Sequence, residues 1–511
     1  MVTPLNKLVK GAGFSFIGQV ISTGLKYSTQ VILAWLLGAE AFGIYVLGMV
    51  IYQLGELFSR MGLEAGVVRY VSIHYSTEDN TEDKNRLKGI LWQGIVLPFL
   101  SGIVFGLALF FASDFIAQGI FGQPDLAPVL QIFAIALPFG ASVIVGAFAT
   151  TGFQVAQYKV YVWELLLPGV NLLIAAILCT IGWGLRGATL AWLVSLIVSL
   201  AATVYFIRGL FPELFSSQIK PIFKTKQLLA FSLPLCFGSF LWLVMLWTDA
   251  LMLGYFRTAT EVGIYRAVSQ TALLMTLCTR SLVTIFTPMI ANLYHNQDFE
   301  QLSKLFSTAS RWSFSLTLPL FLIVGVTGQD LLRVFGPEFA MGWLPLVILA
   351  AGQLARASPG GFAMHMLAMS GHQYLKLYGD FILAIANIGL NLLMIPRWGM
   401  LGAAVATGIS ILGVNLLRIL QVYLVLQVQG FNWSYLKTIV AGTLTILLGF
   451  FLHSWLAFMP YFLALLLTAG VMLVVYGALL WTIGLEEADL VILKEAGGRR
   501  QKAGGGERGR R

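Results

Sequence analysis

Charged side chains inside long apolar stretches are the residues of this sequence with the clearest chemical potential. Lys26, Arg280 and Arg356 each lie well inside such a stretch. A cation at the centre of a lipid bilayer costs a few kcal/mol unless it faces a water-filled cavity or an opposite charge. Because no acidic residue is equally deep, we expect these three cations to line a cavity and to bind an anionic passenger or a counter-ion.

A second set of charged residues is suited to ion pairing or to ion coupling. Glu56 and Arg60 are four residues apart, which places them on one face of a helix. Asp249 and Asp380 are further candidates in later apolar stretches. Snorkelling to the interface or a structural ion pair is the alternative role for the charges near predicted span ends, which are Arg60, Glu164, Asp249, Asp380 and Arg418.

A helix break is predicted beside Arg356. Pro359, Gly360 and Gly361 follow it in the middle of one apolar stretch. Proline removes an intrahelical hydrogen bond, and glycine weakens the next turn. Broken helices at membrane depth persist where they face protein or water, and they often mark a binding site. We therefore expect a functional break here, with a simple packing kink as the alternative.

The apolar stretches themselves decide the fold class. Hydrophobic residues make up 58% of the 511 residues and charged residues 11%, whereas soluble domains contain about 25% charged residues. Since a span needs about 20 apolar residues, the sequence predicts an all-α polytopic membrane protein with about 14 transmembrane helices. The predicted spans are 11–37, 41–61, 88–112, 126–150, 157–180, 184–207, 227–253, 263–289, 308–328, 342–370, 374–395, 400–426, 434–454 and 460–484.

The sequence also contains a duplicated unit. Six spans per copy is an even number, so both copies cross the membrane in the same direction and form two parallel-related six-helix bundles. In a membrane protein, such duplication points to transport by two lobes that move about a shared site. The segments that recur in the same order are 42–45 and 262–265, 151–154 and 370–373, 169–173 and 389–393, and 183–191 and 398–406.

Five regions follow from the repeat and from local composition. Two helices after the second bundle have no counterpart in the first, and the Gly/Arg-rich end has too little apolar surface to fold alone. The predicted regions are an N-terminal six-helix bundle (1–208), a cytoplasmic interfacial linker (209–226), a C-terminal six-helix bundle (227–427), two extra transmembrane helices (428–484) and a basic disordered cytoplasmic tail (485–511).

The distribution of positive charge predicts the topology. Most of the 32 lysines and arginines fall in alternate loops on the side of the N-terminus. Positively charged loops stay in the cytoplasm, so both termini are predicted to be cytoplasmic. The net charge of +9 is explained by topology, and we predict no nucleic-acid partner. The residues assigned to the opposite side are Arg186, Arg257, Arg266, Arg333 and Arg397.

Several classes of enzyme lack their motifs in this sequence. There is no G-x-x-x-x-G-K-[ST] phosphate-binding loop and no H-E-x-x-H metal motif. The three cysteines lie inside predicted spans without metal-ligand spacing. We therefore predict a transporter that is not an enzyme, with no cofactor and no metal site.

Several motifs resemble those of the polysaccharide-export and O-antigen (Wzx-type) flippases of the multidrug/oligosaccharidyl-lipid/polysaccharide (MOP) exporter superfamily. The resemblance extends over nearly the whole chain, from about residue 8 to residue 484. The matching motifs are 36–45 (Leu-Leu-Gly-Ala-Glu-Ala-Phe-Gly-Ile-Tyr), 60–70 (Arg-Met-Gly-Leu-Glu-Ala-Gly-Val-Val-Arg-Tyr), 249–256, 261–265, 334–339 and 398–406.

This resemblance implies a MATE-like fold of two bundles around a cavity. It also implies alternating-access movement of a polyprenyl-pyrophosphate-linked oligosaccharide from the cytoplasmic to the outer leaflet, for cell-surface polysaccharide biosynthesis. The implied location is the plasma membrane of a bacterium or archaeon. The implied partners are the lipid-linked substrate, membrane lipid and a complex with a polysaccharide polymerase or glycosyltransferase.

Two other functions stay open at this point. A MATE-like multidrug or cation-coupled exporter would share the fold, but cationic drugs favour a deep acidic cavity, which this sequence lacks. A non-transport assembly partner of a polysaccharide-export complex would tolerate loss of every deep charge. The coupling ion, the sugar and the choice between lipid II and other lipid-linked glycans do not follow from the residues.

Overall fold

The computed structural model of the protein describes residues 4–75 and 81–483, with side chains from residue 17 to residue 482 except that of residue 242. The predicted basic tail, 485–511, lies outside the described residues. Within the described ranges the chain is helical and contains no β-strand. Helices satisfy their own backbone hydrogen bonds, which is what a bilayer requires of a spanning segment.

Sixteen α-helices occur in the described chain. They are α1 (Pro4–Arg60), α2 (Leu63–Tyr75), α3 (Thr81–Asp114), α4 (Leu126–Gly152), α5 (Gln157–Lys159), α6 (Leu167–Leu178), α7 (Gly184–Leu210), α8 (Thr225–Phe256), α9 (Ala259–Leu274), α10 (Thr276–His295), α11 (Phe299–Arg333), α12 (Trp343–Ala357), α13 (Pro359–Met369), α14 (Gln373–Leu426), α15 (Tyr435–Trp455) and α16 (Tyr461–Ile483). Short π-helical segments are Phe115–Ile120, Val160–Leu166 and Cys179–Trp183, and 3-10 turns are Pro212–Phe215, Pro337–Gly342 and Leu456–Phe458.

The helices confirm the predicted all-α, multi-pass membrane fold. Among the described residues, ten continuous helical stretches are long and apolar enough to cross a membrane, or eleven with the bent pair 225–241 and 243–256. Non-helical backbone interrupts long stretches at Gly38, Gly182 and Gly399, and also at Thr327 within α11. The three glycine interruptions each fall between two spans that the sequence predicted separately, whereas Thr327 lies inside the predicted span 308–328. The number fourteen stays a prediction.

The chain forms two compact units, each built from separate segments. The first unit comprises residues up to 267 together with 334–339 and 391–403. The second comprises 268–333, 340–390 and residues from 404 onward. These units are defined by contacts in space, so the predicted division along the chain into two bundles and a linker stays a prediction.

Two glycines of the repeated motif allow a close helix crossing in the first unit. A Cβ atom on Gly43 would lie 1.8 Å from the carbonyl oxygen of Ala259, and one on Gly263 would lie 2.2 Å from that of Ala39. Small residues let membrane helices approach through their backbones. The recurrence of Gly-Ile-Tyr at 43–45 and 263–265 therefore reflects backbone contact between α1 and α9.

In this unit two glutamates cap helices that restart after a glycine. Gly38 and Gly399 have φ values of +75° and +56°, which glycine adopts without strain. After each glycine a helix restarts, and its first N–H groups need acceptors. Glu338 Oε1 accepts from the Ala39 N–H at 2.6 Å, and Glu261 Oε2 accepts from the Met400 N–H at 2.9 Å.

The segment predicted as an interfacial linker is held against α3. The Lys88 side chain is buried, and its Nζ donates to the carbonyl oxygens of Ser216 and Ile219. Trp92 Nε1 donates to the carbonyl oxygen of Leu214 at 3.2 Å. These contacts satisfy backbone carbonyls of a segment that has little regular structure of its own.

The two last helices pack on α11 in the second unit. Ser315 and Thr438 share a hydroxyl–hydroxyl hydrogen bond at 3.0 Å, and Tyr476 donates to the carbonyl oxygen of Ser315 at 2.9 Å. Leu318 and Met472 belong to the buried apolar cluster between these helices. Both α15 and α16 therefore pack on α11 through hydrogen bonds that are surrounded by apolar side chains.

We expect the Gly43→Ala variant to be less stable than the wild-type protein. The added methyl group meets the Ala259 carbonyl oxygen, and overpacking of this kind costs about 1–3 kcal/mol. Gly24→Ala is the matched control, because a Cβ atom on Gly24 meets nothing within 4 Å. Thermal unfolding of the purified proteins in detergent should give a lower Tm for Gly43→Ala alone. Equal Tm values for both variants would contradict the close backbone contact between α1 and α9.

Candidate functional site

The predicted interruption beside Arg356 takes the form of two separate helices. The last residue of α12 is Ala357, and α13 begins at Pro359. Ser358 between them is extended, with φ −78° and ψ −179°. A residue before proline is pushed out of the helical region by the proline ring. The Ser358-Pro359 sequence and the two glycines after it favour the end of α12 here, while the role of this break in transport stays a proposal.

The two glycines after Pro359 allow close packing at the break. A Cβ atom on Gly361 would lie 1.8 Å from the carbonyl oxygen of Arg356. One on Gly360 would lie 2.5 Å from the Cβ of Asn415 in α14. Glycine at both positions thus lets the end of α12 and the side of α14 approach the first turn of α13.

A cluster of cations surrounds the end of α12 in the second unit. The charged groups within electrostatic reach of the Arg356 guanidinium are Arg280 of α10 and Arg418 and Asp380 of α14. Asp380 Oδ2 accepts from Lys376 Nζ at 2.9 Å, and its Oδ1 pairs with Arg418 Nη2. We call Arg280, Arg356, Lys376 and Arg418, with Asp380, the basic cluster.

The basic cluster carries an excess of positive charge. Its described members are four cations and a single carboxylate, whose two oxygens are already occupied by Lys376 and Arg418. Arg418 is almost fully buried, Arg356 is half-buried and Arg280 is exposed. The structure therefore brings together two of the predicted deep cations, Arg280 and Arg356, and adds Lys376, which the sequence analysis did not single out.

Lys26 lies in the first unit and has an acidic partner. Its Nζ is 3.4 Å from Glu164 Oε2, and the Lys26 side chain is 47% exposed. The expectation that the deep cations lack acids at their own depth is therefore wrong for Lys26. Glu164 belongs to the π-helical segment Val160–Leu166, which packs on α1 and carries the carboxylate to Lys26.

Glu56 and Arg60 are not paired with each other as their spacing suggested. Glu56 is buried and accepts a hydrogen bond from the Tyr52 hydroxyl at 3.1 Å. Arg60 Nη1 lies instead 3.6 Å from Glu64 Oε1. The reason is that α1 ends at Arg60, and a left-handed turn at Met61, with φ +50°, leads into α2.

An open cleft adjoins this turn in the first unit. Its volume is about 540 Å³. Arg60 and Glu64 supply its charged wall, and Phe148 and Leu235 supply apolar wall. The sequence motif 60–70 thus forms a helix interruption beside a cleft, which its helical spacing did not predict.

Asp249 is hydrogen-bonded to two neutral side chains within the first unit. Tyr265 donates to Asp249 Oδ2 at 2.6 Å, and Asn391 Nδ2 donates to Asp249 Oδ1 at 2.7 Å. Tyr265 and Asn391 are the repeat counterparts of Tyr45 and Asn171. Their recurrence in the sequence was the feature that could have identified them as partners of Asp249.

Arg266 lies within α9, inside the predicted span 263–289, with Cζ 4.3 Å from the ring centroid of buried Trp247. Its predicted place on the side opposite the N-terminus stays a prediction. Trp247 Nε1 also donates to Gln53 Oε1 at 2.9 Å. A guanidinium on an aromatic face is attracted by the ring, which favours a position inside the protein.

The described residues contain no group of three or more His, Cys, Asp or Glu side chains that could hold a metal ion. Cys179 and Cys236 are buried free thiols, and Cys278 is a half-buried one.

Comparison with known proteins identifies the family. Residues 8–307 match the profile of the family described as "Polysaccharide biosynthesis protein". The "Probable low-salt glycan biosynthesis flippase Agl15" of Haloferax volcanii is 24% identical, covering 77% of this chain and 79% of the relative. The "Capsular polysaccharide biosynthesis protein CapF" of Staphylococcus aureus is 22% identical, covering 79% of this chain and 96% of the relative.

Solved structures share the fold. The lipid II flippase MurJ in an inward closed conformation superposes with a TM-score of 0.68 at 16% identity, covering 92% of this chain and 98% of that chain. An inward-facing multidrug resistance MATE family transporter of the MOP superfamily gives 0.59 at 14% identity, covering 79% and 94%. Since the family profile matches more than half of the chain, this protein belongs to the family described as "Polysaccharide biosynthesis protein", as its motifs predicted.

Proposed function

We propose that this protein is a flippase that moves a polyprenyl-pyrophosphate-linked oligosaccharide from the cytoplasmic to the outer leaflet by alternating access. The observation that carries this proposal is the basic cluster at the helix break between α12 and α13. An excess of buried and half-buried cations in an otherwise apolar chain is costly unless an anion is bound there for part of the cycle.

A pyrophosphate group fits the charge of this cluster. It must lose water to cross the bilayer, and attraction to cations grows as the effective dielectric constant falls. Arginine also forms bidentate hydrogen bonds with phosphate oxygens. Arg280 and Arg356 would bind the pyrophosphate, the sugars would occupy the aqueous path and the isoprenoid tail would remain in lipid.

The cellular setting is part of the same proposal. The lysine and arginine asymmetry supports a plasma membrane protein of a bacterium or archaeon with cytoplasmic termini. Relatives named for glycan and capsular polysaccharide biosynthesis support a lipid-linked glycan as substrate. A complex with a polysaccharide polymerase or glycosyltransferase would deliver that substrate or take it away.

The sign of the cluster separates this proposal from multidrug export. A cationic drug requires carboxylates that are not already neutralised, whereas both oxygens of Asp380 are paired with cations. An assembly role without transport requires no charge in the cluster, so mutation of its residues tests that role directly.

Lipid extracts from a strain that lacks this protein provide the first test. We expect accumulation of a polyprenyl-pyrophosphate oligosaccharide, because synthesis continues on the cytoplasmic side while export stops. Mass spectrometry of extracts from the mutant, its parent and the complemented strain measures it. No accumulation, with the upstream glycosyltransferases active, would contradict the flippase proposal.

Arg356→Ala should abolish transport while leaving the amount of protein in the membrane unchanged. The variant removes a cluster cation without adding bulk. Lys26→Ala should reduce transport less, because Glu164 already neutralises Lys26. The measurement is complementation of the lipid accumulation, with immunoblots of membranes. Arg208→Ala, at an exposed position near the end of α7, is the matched control. Full transport by Arg356→Ala would remove Arg356 from the site.

We further propose that Glu56 and Asp249, rather than Asp380, couple transport to an ion or proton gradient. The carboxylate of Asp380 is bound by Lys376 and Arg418. Glu56 accepts a hydrogen bond from the Tyr52 hydroxyl, and Asp249 accepts hydrogen bonds from Tyr265 and Asn391. A carboxylate with neutral hydrogen-bond partners can take up and release a cation or proton during a transport cycle.

Collapse of the gradient by ionophores should stop transport in wild-type membrane vesicles. Asp249→Asn and Glu56→Gln, which keep the size but remove the charge, should each reduce gradient-driven transport at least tenfold. Asp125→Asn at an exposed position is the control. Transport of a labelled lipid-linked oligosaccharide into protease-protected form is the readout. Transport that is indifferent to ionophores would exclude this coupling.

A further inference from the structure

The first turn of α13 is a helix start without a side-chain cap. Its N-cap residue is Ser358, whose hydroxyl donates to the carbonyl oxygen of Ala355 at 2.6 Å and does not cap the helix. The first N–H groups of a helix have no acceptor within the helix, and the helix dipole makes this end positive. At eleven residues, α13 is long enough for that dipole to act on a bound anion.

A buried polar side chain lies against this turn. Asn415 of α14 is 4% exposed. Among the described residues, neither its Nδ2 nor its Oδ1 has a hydrogen-bond partner. Its Cβ faces Gly360, because a Cβ atom on that glycine would lie 2.5 Å away. A buried amide group left unpaired is costly, so a ligand or solvent must satisfy it at some stage of the cycle.

The charge around Asn415 selects the kind of ligand. Arg418, one turn along α14, has a buried Nε that also has no hydrogen-bond partner within the described part of the chain. Arg356 lies at the end of α12 on the other side of Ser358. A cation would be repelled by both guanidinium groups and by the positive end of α13. The same groups attract an oxyanion, which can accept from Nδ2, from Nε and from a backbone N–H.

We propose that the first turn of α13, with Asn415 and Arg418, forms an oxyanion site that binds one phosphate group of the passenger's pyrophosphate. This inference rests on the proposed function and extends it to a residue that is uncharged. Asn415 donates through Nδ2 to a phosphate oxygen, and the N–H of Gly360 donates beside it. Arg280 and Arg356 neutralise the rest of the pyrophosphate charge.

Binding of inorganic pyrophosphate to the purified full-length protein in detergent tests the site. Isothermal titration calorimetry should show at least tenfold weaker binding for Asn415→Asp, which has the size of asparagine but repels the anion. Asn415→Leu should also weaken binding, because it removes the donor. Asn171→Asp is the control: this asparagine is buried in the first unit and is not a member of the basic cluster, and we expect binding within twofold of wild type.

Hydrogen exchange on the wild-type protein provides a second measurement that needs no variant. Pyrophosphate should slow exchange of the amides at 360–363, whereas inorganic phosphate at the same concentration should do so less. Nanodiscs with phosphatidylglycerol, compared with neutral lipid, distinguish an ordinary lipid headgroup as the source of the phosphate. Protection by phosphatidylglycerol alone would overturn the proposal.

The outcomes separate this inference from the flippase proposal. If Asn415→Asp and Asn415→Leu fold with wild-type Tm and bind pyrophosphate normally, the site is wrong, whatever the lipid extracts show. If wild-type protein binds no pyrophosphate and shows no protection at 360–363, it is wrong as well. Absence of lipid accumulation in the deletion strain contradicts the transport function without affecting these binding measurements.

Discussion

The cost of an unpaired polar group in hydrocarbon is the constraint on which this structure depends. It requires helices for the spans, because only a helix or a closed barrel satisfies its own backbone there. Where a helix must stop inside or beside the membrane, other groups supply the missing partners. Glu338 and Glu261 accept from the restarted helices after Gly38 and Gly399. The same constraint makes each buried charge and each unpaired amide a functional candidate.

The two units meet this cost in different ways. In the first unit, most of the intramembrane charges have a local partner, as in Lys26 with Glu164 and Asp249 with Tyr265 and Asn391. In the second unit, cations outnumber carboxylates around the break between α12 and α13. That imbalance is tolerable if the site is occupied by an anion during the cycle. A broken helix adds backbone donors at the same place, so charge and geometry support the same ligand.

Sequence patterns predicted the membrane fold, the family and the position of the helix break because each depends on local properties. Apolar length, the Ser-Pro-Gly-Gly sequence after Arg356 and the recurring motifs are all visible in one dimension. Pairings were less predictable. Helical spacing suggested that Glu56 would form an ion pair with Arg60. The left-handed turn at Met61 instead brings Glu64 close to Arg60, and these two residues form the ion pair. The contact of Arg266 with Trp247 was likewise not visible in the sequence.

The sequence by itself determined which residues are costly in a bilayer, because that cost depends on residue type and on the apolar length around it. It also indicated where α12 ends, since Pro359 and the two glycines after it together disfavour a continuous helix. Only the tertiary structure decided which of these polar and charged residues have a partner that offsets their cost in the bilayer. The partner of Lys26 is 138 residues away along the chain, Arg418 reaches Asp380 from 38 residues away, and Asn415 lies at the close approach to Gly360. Hydrogen bonds and ion pairs act over a few ångströms in space, and spacing along the chain does not fix that distance.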